Sequence, residues 1–234
     1  VAVPSRLVPE VVIDLLKKGI NTVDSFDIHS EILDLQKKLD PICKANSKAS
    51  IVTAGWDPGI DSIIRGLFLT MAPKGITHTN YGPGMSMGHT CAVKAIKGVK
   101  NALSLTVPLG MGIHKRIVYV ELNGEEPLDK VEQSIKNDPY FIKDETIVIE
   151  VKDIEKLINV SHGVMMERSG VSGITHNQVF RYECRINNPA LTSQVMVSSA
   201  RAVVKQNPGC YTMIDIPVID FLSEEKDSLI KSLV

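Results

Sequence analysis

The sequence predicts an α/β fold in which a parallel sheet is followed by a mixed α+β region. In the first part, the apolar runs NTVDSF (21–26) and SIVTAG (50–55) alternate with two amphipathic stretches of helical period. Short connections between such elements are typical of a right-handed parallel sheet. From Ala102 the pattern changes to strands with alternating polar residues, which indicates a mixed or antiparallel sheet that is open on one face.

Two helices are predicted in the parallel part. The apolar stripe of the first helix, closed by Gly19, consists of Val11, Val12, Leu15 and Leu16. The second helix is expected to start at Ser30 as its N-cap and to be disturbed at Pro41. Its predicted buried side consists of Ile32, Leu33, Leu35 and Leu39.

The later part of the chain is predicted to be rich in long strands. The candidate strands are ALSLTVPLG, IHKRIVYVEL, DETIVIEV and VFRYECRINN. Helices are expected in PLDKVEQSIKNDPYF and in ALTSQVMVSSARAVVKQ, the latter stopped by Asn207. The tail IDIPVIDFLSEEKDSLIKSLV is expected to form a strand and a short helix that rejoin the first sheet.

Composition excludes several classes of function. The chain has 234 residues, 44% hydrophobic and 23% charged, with a formal net charge of −1, so no strong field favours nucleic acid or an anionic membrane. We find neither an apolar stretch long enough to span a membrane nor a signal peptide. The scattered histidines and cysteines favour buried thiols in a reducing cytoplasm over a disulfide framework, and we expect no metal site.

Polar side chains follow the predicted parallel strands where ligands bind in such sheets. Three strand ends, Pro4-Ser5, Ser25–Asp27 and Gly55–Asp57, are expected to point at one region. The carboxylates of Asp27 and Asp57 can accept hydrogen bonds from an ammonium group. Helix capping is the alternative for each, equally favoured for Asp57 and less convincing for Asp27. Asp24 is expected to be buried or hydrogen-bonded locally.

Three further polar residues have both a functional and a structural interpretation. Arg116 could bind a carboxylate through two parallel hydrogen bonds. The alternative, a solvated arginine at the surface, is favoured on sequence alone. His162 lies in VSHGVMME, interpreted as a glycine-flanked turn from which the ring could reach a ligand. Asn188 precedes a proline and could simply start the next helix.

No GxGxxG turn, the usual phosphate-binding loop of a dinucleotide-binding sheet, occurs in the sequence. The nearest candidate, Gly82–Gly88, reads GxGxxxG and is interpreted as a turn that supports a substrate pocket. Either the protein is no nucleotide enzyme or the first βα units of its sheet are absent from this sequence. We favour the second interpretation, in which the chain is N-terminally truncated.

Several segments together resemble one known family. The motifs VPSR, GINTVDSFDIH, AGWDPGIDSI, NYGPGMSMGH, VSGITHNQ, RINNPALT and PGCYTMIDIPVID are similar to those of meso-diaminopimelate dehydrogenases of the clostridial or thermophile-like branch. The resemblance implies a homodimeric cytoplasmic enzyme of lysine and peptidoglycan-precursor biosynthesis. It implies NADP-dependent oxidative deamination of meso-2,6-diaminopimelate at its D-centre, giving L-2-amino-6-oxopimelate and ammonia. Cofactor binding by this sequence alone is expected to be impaired.

The resemblance also assigns an architecture. It implies a partial Rossmann-like parallel sheet, with the first βα units missing, and a mixed α+β region for dimerisation and substrate binding. Residues 1–56, joined by 203–234, would be the remainder of the dinucleotide-binding domain. Residues 57–202 would be the dimerisation and substrate region.

Site residues follow from the same resemblance. Asp27 and Asp57 would be catalytic, orienting the reacting amine. The implied substrate contacts are Asp27, Trp56, Asp57, Tyr81, Met87, Thr106, Arg116, His162 and Asn188. The implied cofactor contacts are Ala2, Val3, Pro4, Ser5, Ser25, Phe26, Asp27, Ala54, Gly55, Trp56, Asp57 and Pro58.

Two alternatives stay open at this point. The chain could be a catalytically inactive dimeric core that only binds a ligand or partner. It could also be another amino-acid or aldehyde dehydrogenase in which Cys91 or Cys210 is a nucleophile.

Overall fold

The computed structural model describes residues 1–157 and 161–234 and divides the chain into two compact units. The first unit comprises Val1–Leu67 and Pro189–Val234, and the second comprises Phe68–Asn188. No helix in the described ranges is both long enough and apolar enough to cross a lipid bilayer.

The first unit is built on a small parallel sheet. Its strands are β1 (Thr22–Val23), β2 (Ala49–Ile51) and β10 (Gly209–Tyr211), in the order β1–β2–β10 and all parallel. Its helices are α1 (Val8–Lys17), α2 (Ile32–Ala45), the start of α3 (Ile60–Met71), most of α6 (Asn188–Val203) and α7 (Lys226–Leu233). The parallel part of the predicted α/β fold is therefore confirmed.

Apolar residues cover both faces of this sheet, as a doubly wound arrangement requires. On one face, α1 and α2 bury Val12, Leu16 and Leu39 against Val52. On the other face, α6 and the C-terminal segment form a second cluster around Ile51. The strand ends are therefore held between two hydrophobic layers.

Four details of the parallel part differ from the prediction. Ser30 is not the N-cap of α2, because residues His29–Glu31 form a 3₁₀ turn and Glu31 precedes the helix. Pro41 lies inside α2 without ending it, and Leu33 is 59% exposed rather than buried. The strand that rejoins the sheet is β10, so the predicted strand in IDIPVI is wrong; two 3₁₀ turns lie there instead.

The second unit contains two sheets. In the first, β3 (Lys74–Tyr81), β8 (His162–Ser172) and β9 (Thr175–Ile186) are antiparallel, in the order β3–β8–β9. In the second, the order is β4 (Gly84–Met85), β5 (Val99–Gly110), β6 (Ile113–Leu122) and β7 (Glu145–Glu150). Here β6 and β7 are parallel and the other pairs antiparallel, so the predicted mixed sheet is confirmed.

Two helices cover one face of the four-stranded sheet. They are α4 (Met87–Lys94) and α5 (Leu128–Asn137), and α5 connects the parallel strands β6 and β7. Val118 and Val120 of β6 pack in one cluster with Val131 and Ile135 of α5. This layer fixes β5 and β6, which carry two of the predicted site residues.

Strand β8 is a correction, because VSHGVMME was interpreted as a turn. The first residue of the segment VSHGVMME, Val160, lies outside the described residues. From His162 onward the segment belongs to β8, a strand of eleven residues. Gly163 misled the sequence interpretation. A Cβ there would lie 3.2 Å from the carbonyl oxygen of Cys184 and 3.3 Å from that of Gly82, so this glycine permits close backbone approach within a sheet.

Candidate functional site

In the first unit, Asp27 contacts the N-terminal segment. The Ser5 hydroxyl donates a hydrogen bond of 2.6 Å to Asp27 Oδ1, and the Asp27 N–H donates one of 3.2 Å back to Ser5 Oγ. Ala2, Val3 and Pro4 precede this contact, where a 3₁₀ turn begins at Ser5. Two of the three segments expected to converge therefore meet through direct hydrogen bonds.

The third segment carries Asp57, which lies in an ion-pair cluster. Arg65 Nη1 donates to Asp57 Oδ1 at 2.8 Å, and His29 Nε2 lies 3.6 Å from Asp57 Oδ2. His29 follows Asp27 by two residues, so the loops that carry the two predicted catalytic carboxylates approach each other. The Asp57 side chain is only 11% exposed, which strengthens its electrostatic interactions.

A tight turn presents Asp57. The Gly55 N–H donates to the carbonyl oxygens of Thr53 at 2.9 Å and Pro58 at 3.2 Å. At Gly59, where φ is +144°, a Cβ would lie 1.9 Å from the Gly55 carbonyl oxygen. Only glycine fits this position, so the Gly of the WDPG motif is explained by the turn itself.

Two buried carboxyls lie beside these loops. Burial raises the pKa of Asp24 to about 6, although the N–H groups of Phe26 and Thr53 lower it. The expectation that Asp24 is buried and bonded locally is confirmed. Burial and the neighbouring Asp57 charge raise the pKa of Asp61 to about 7, a perturbation of the kind that clusters at functional sites.

Several residues expected to contact a cofactor have buried side chains. Phe26 packs in the core between the sheet and helices α1 and α2, and Ala54 packs in the opposite cluster. Pro58 and the ring of Trp56 are also buried, whereas Ser25 is half-buried. Any cofactor contact by Phe26 or Ala54 would therefore use main-chain atoms.

In the second unit, Arg116 is held in a polar cluster. Its Nε donates to Asp144 Oδ2 at 2.6 Å, and its Nη1 donates to the hydroxyl of Thr106, the residue opposite it in the β5–β6 ladder. The Arg116 side chain is 12% exposed and that of Asp144 is 22% exposed. The interpretation of Arg116 as a solvated surface residue is therefore wrong.

The GPG loop passes close to Thr106 and His162. A Cβ on Gly82 would lie 2.2 Å from the Thr106 carbonyl oxygen, and a Cβ on Gly84 would lie 1.9 Å from that of Ser161. These glycines thus serve close backbone packing, which favours the interpretation as a supporting turn over a phosphate loop.

Two histidines of this unit lie close enough for their charges to interact, and one of them, His89, is also close to Arg116. His162 is 6% exposed at the start of β8. His89 accepts or donates a 2.8 Å hydrogen bond with Ser86 Oγ, and its ring packs edge-on against Phe141. Burial and the charge of Arg116 lower the pKa of His89 to about 3, so its ring is neutral.

The remaining predicted substrate residues occupy element ends. Tyr81 ends β3, where its N–H donates to His114 Nε2 at 2.7 Å. Met87 is the first residue of α4. Asn188 is the first residue of α6, as its structural interpretation expected.

The cysteine alternative receives no support at Cys210. This thiol is buried, and its contact with Cys43 raises its pKa, as does burial. A nucleophilic cysteine requires the opposite shift. Cys91 is an exposed free thiol.

Sequence reasoning missed several members of these clusters. Arg65 and Asp61 could have been found, because Asp57, Asp61 and Arg65 recur at intervals of four residues in a segment where a helix begins. The pairing of Arg116 with Asp144 joins residues 28 positions apart, and no local pattern marks it.

Known proteins resemble this chain over almost its whole length. The model of the diaminopimelic acid dehydrogenase C-terminal domain matches residues 55–115. The meso-diaminopimelate D-dehydrogenase of Bacteroides fragilis is 54% identical over 231 residues, covering 99% of this chain and 77% of that protein.

Solved structures give the same result. The C. glutamicum DAP dehydrogenase in complex with DAP has a TM-score of 0.88 at 25% identity, covering 97% of this chain and 78% of that one. An engineered D-amino acid dehydrogenase bound to NADP+ shares the fold, with a TM-score of 0.89 at 24% identity, covering 99% and 79%. The chain therefore belongs to the meso-diaminopimelate D-dehydrogenase family.

Proposed function

We propose that this chain catalyses the reversible, NADP-dependent oxidative deamination of meso-2,6-diaminopimelate at its D-centre, giving L-2-amino-6-oxopimelate and ammonia. The observation that carries the proposal is the 54% identity to a meso-diaminopimelate D-dehydrogenase over 99% of the chain. We place the reaction in lysine and peptidoglycan-precursor biosynthesis in the cytoplasm. Its four free cysteines are compatible with that reducing compartment.

Asp27 and Asp57 are proposed to orient the reacting amine, with Trp56 beside them. Support comes from their positions on approaching loops and from the low exposure of Asp57. Two carboxylates near one nitrogen stabilise positive charge as the amine-bearing carbon is oxidised. The protein's contribution on this side is orientation and charge placement.

Arg116, Thr106 and His162 are proposed to bind the carboxylate at the D-centre. The ion pair with Asp144 fixes the guanidinium through Nε, and a fixed planar fork suits a carboxylate. Tyr81 and Met87 would flank the substrate, and Asn188 would contact its distal amino-acid end. A substrate lacking the carboxylate would leave a weakly exposed arginine unsatisfied, which explains selectivity.

NADP is the proposed cofactor, and the residues present fit its nicotinamide end. The segments 25–27 and 54–58 follow the carboxyl ends of the parallel strands β1 and β2, where doubly wound sheets bind nucleotides. Segment 2–5 meets the first of them through the hydrogen bond from Ser5 to Asp27. When bound, NADP+ supplies the hydride acceptor for the oxidation. Residues 2–5 and 25–27 contribute a hydroxyl at Ser5 and main-chain groups toward that region.

The proposed domain roles follow the two units. The first would be the remainder of a dinucleotide-binding domain, and the second would serve dimerisation and substrate binding. On one face of the β3–β8–β9 sheet, Ile76 and Val179 are exposed beside the ion pair of Glu167 and Arg181, and an exposed face that mixes apolar and charged side chains supports a homodimer contact. A dimer by sedimentation that becomes a monomer in Val179→Lys would support this assignment, and a wild-type monomer would contradict it.

The reaction is tested by following NADPH formation with meso-diaminopimelate as substrate. We expect activity with the meso isomer and not with the L,L isomer, and a loss of at least about 100-fold in kcat/KM in Arg116→Leu, since a buried charge-assisted bond contributes several kcal/mol. The exposed Arg201→Leu variant is the matched control. Diaminopimelate binding by calorimetry without NADPH formation would instead support the inactive dimeric core.

A further inference from the structure

A buried carboxyl with no part in the proposed chemistry lies directly behind the Asp57 loop. Asp61 is the second residue of α3, and its N–H donates to the Trp56 carbonyl oxygen at 3.0 Å. Its side chain is 0% exposed. Both of its carboxyl oxygens are buried without a hydrogen-bond partner among the described residues, so a main-chain hydrogen bond ties Asp61 to the loop.

Two charged side chains act on Asp61 from neighbouring turns. Asp57 repels its ionised form, whereas Arg65, one helical turn further along α3, attracts it. Arg65 also donates to Asp57 Oδ1 at 2.8 Å, so its charge acts on two carboxyls while its hydrogen bond goes to Asp57. His29, largely exposed, faces Asp57 from the neighbouring 3₁₀ turn.

We propose that Asp61 is a positioning residue that sets how firmly Arg65 holds Asp57. As a neutral acid it leaves the Arg65 guanidinium fully on Asp57. As a carboxylate it competes for Arg65 and adds negative charge behind the loop, which leaves Asp57 better able to bind an ammonium group. This inference rests on the proposed function where it concerns the substrate's amine.

A direction for substrate binding follows. Because binding and ionisation are reciprocally linked, a cation bound at Asp57 favours the ionised form of Asp61, and ionised Asp61 favours the cation. The pKa of about 7 places the change near neutrality. We expect affinity for the amine to rise by about three- to tenfold as pH rises through this range, since one unit of coupling is a factor of ten.

Trp56 permits a test that is independent of activity, because it is the chain's only tryptophan. Its fluorescence is titrated between about pH 5 and pH 9 in the 234-residue chain. We expect a transition near pH 7 that is absent in Asp61→Asn and retained in His29→Gln and in Asp24→Asn, which removes the other buried carboxyl whose pKa is raised in this unit. An unchanged transition in Asp61→Asn, or its loss in His29→Gln, would overturn the inference.

Arg65→Gln tests the shared guanidinium even if Asp61→Asn fails to fold. Because Arg65 lowers the pKa of Asp61, its removal should move the fluorescence transition to higher pH. A transition that stays in place would show that Arg65 does not serve both carboxyls.

Kinetics then separates this inference from the proposed function. In wild type, KM for diaminopimelate should fall about three- to tenfold between about pH 6 and pH 8 with little change in kcat, and in Asp61→Asn it should stay flat. Absence of turnover in wild type at every pH would refute the proposed function and leave the fluorescence result to decide on Asp61. Turnover with the same KM profile in both proteins would refute the positioning role alone.

Discussion

Replacing Asp24 with asparagine should remove a large pH dependence from the stability of the first unit. Asp24 follows β1 and is 0% exposed. Its Oδ1 accepts hydrogen bonds from the N–H of Phe26 at 3.0 Å and of Thr53 at 3.3 Å. Its Oδ2 is buried without a hydrogen-bond partner among the described residues, so an asparagine oxygen can keep both bonds while the charge disappears.

The magnitude follows from the pKa of the folded state. Burial raises the pKa of Asp24 from 3.8 to about 6, and each unit corresponds to about 1.4 kcal/mol. The folded state therefore binds the proton more tightly by about 3 kcal/mol. Because the shift is upward, this stabilisation is fully present below pH 3.8 and is lost as pH rises through about 6.

The assay is urea unfolding followed by Trp56 fluorescence, since this single tryptophan lies in the first unit. The difference in unfolding free energy between wild type and Asp24→Asn should change by about 2 to 3 kcal/mol between about pH 4 and pH 8. Asp61 titrates in both proteins, and its effect cancels in this difference if the two sites are independent.

A matched control is Asp34→Asn, which removes an exposed carboxyl from α2. Its difference from wild type should stay constant across the same pH range. A change of less than about 1 kcal/mol for Asp24→Asn, or a change of opposite sign, would refute the reasoning that burial without full hydrogen bonding dominates at this site.

Three other substitutions test the packing of both units. Asp144→Ala leaves Arg116 without its 2.6 Å ion pair and should destabilise the second unit by about 2 to 3 kcal/mol. The measurement is urea unfolding followed by circular dichroism, and a destabilisation of less than about 0.5 kcal/mol would contradict the importance of this pair. Gly59→Ala places a Cβ 1.9 Å from the Gly55 oxygen and should cost more than about 3 kcal/mol; an unchanged melting temperature would be inconsistent with the turn. Arg168→Met removes hydrogen bonds of 2.7 and 3.2 Å to the carbonyl oxygens of Ala72 and Pro73 and one of 2.8 Å to the Thr77 hydroxyl. It should lower the unfolding free energy by about 3 kcal/mol or more in the same assay. The control Arg181→Met, at an exposed arginine, should lower it by less than about 1 kcal/mol.

Elements with a strong period could be predicted from the sequence. The alternating segment IHKRIVYVEL coincides with β6, Ile113–Leu122, because one face of that strand is covered by helices and the other is not. In α2, local chemistry was misleading. Leu35 and Leu39 before Pro41 and Cys43 after it are all buried on the same side, and their packing outweighs the hydrogen bond that the proline loses.

The carboxylates of the candidate site could be located because strand ends in a parallel sheet share one edge. Their partners could not all be found in this way. His29 and Asp57 approach through the alignment of two separate loops, and Asp144 reaches Arg116 only because β6 and β7 lie side by side. Contacts of this kind depend on sheet pairing, which no segment of a few residues encodes.

The two polar clusters differ in how their buried groups respond to pH near neutrality. Near Arg116, His89 stays neutral because burial and the arginine's charge lower its pKa to about 3, so this ring does not change its charge near neutrality. Around Asp57, the pKa of Asp61 lies at about 7. We therefore expect the binding of a cation at Asp57 to depend on pH near neutrality, and a dependence that disappears in Asp61→Asn but persists in His89→Gln would confirm that Asp61 is its source.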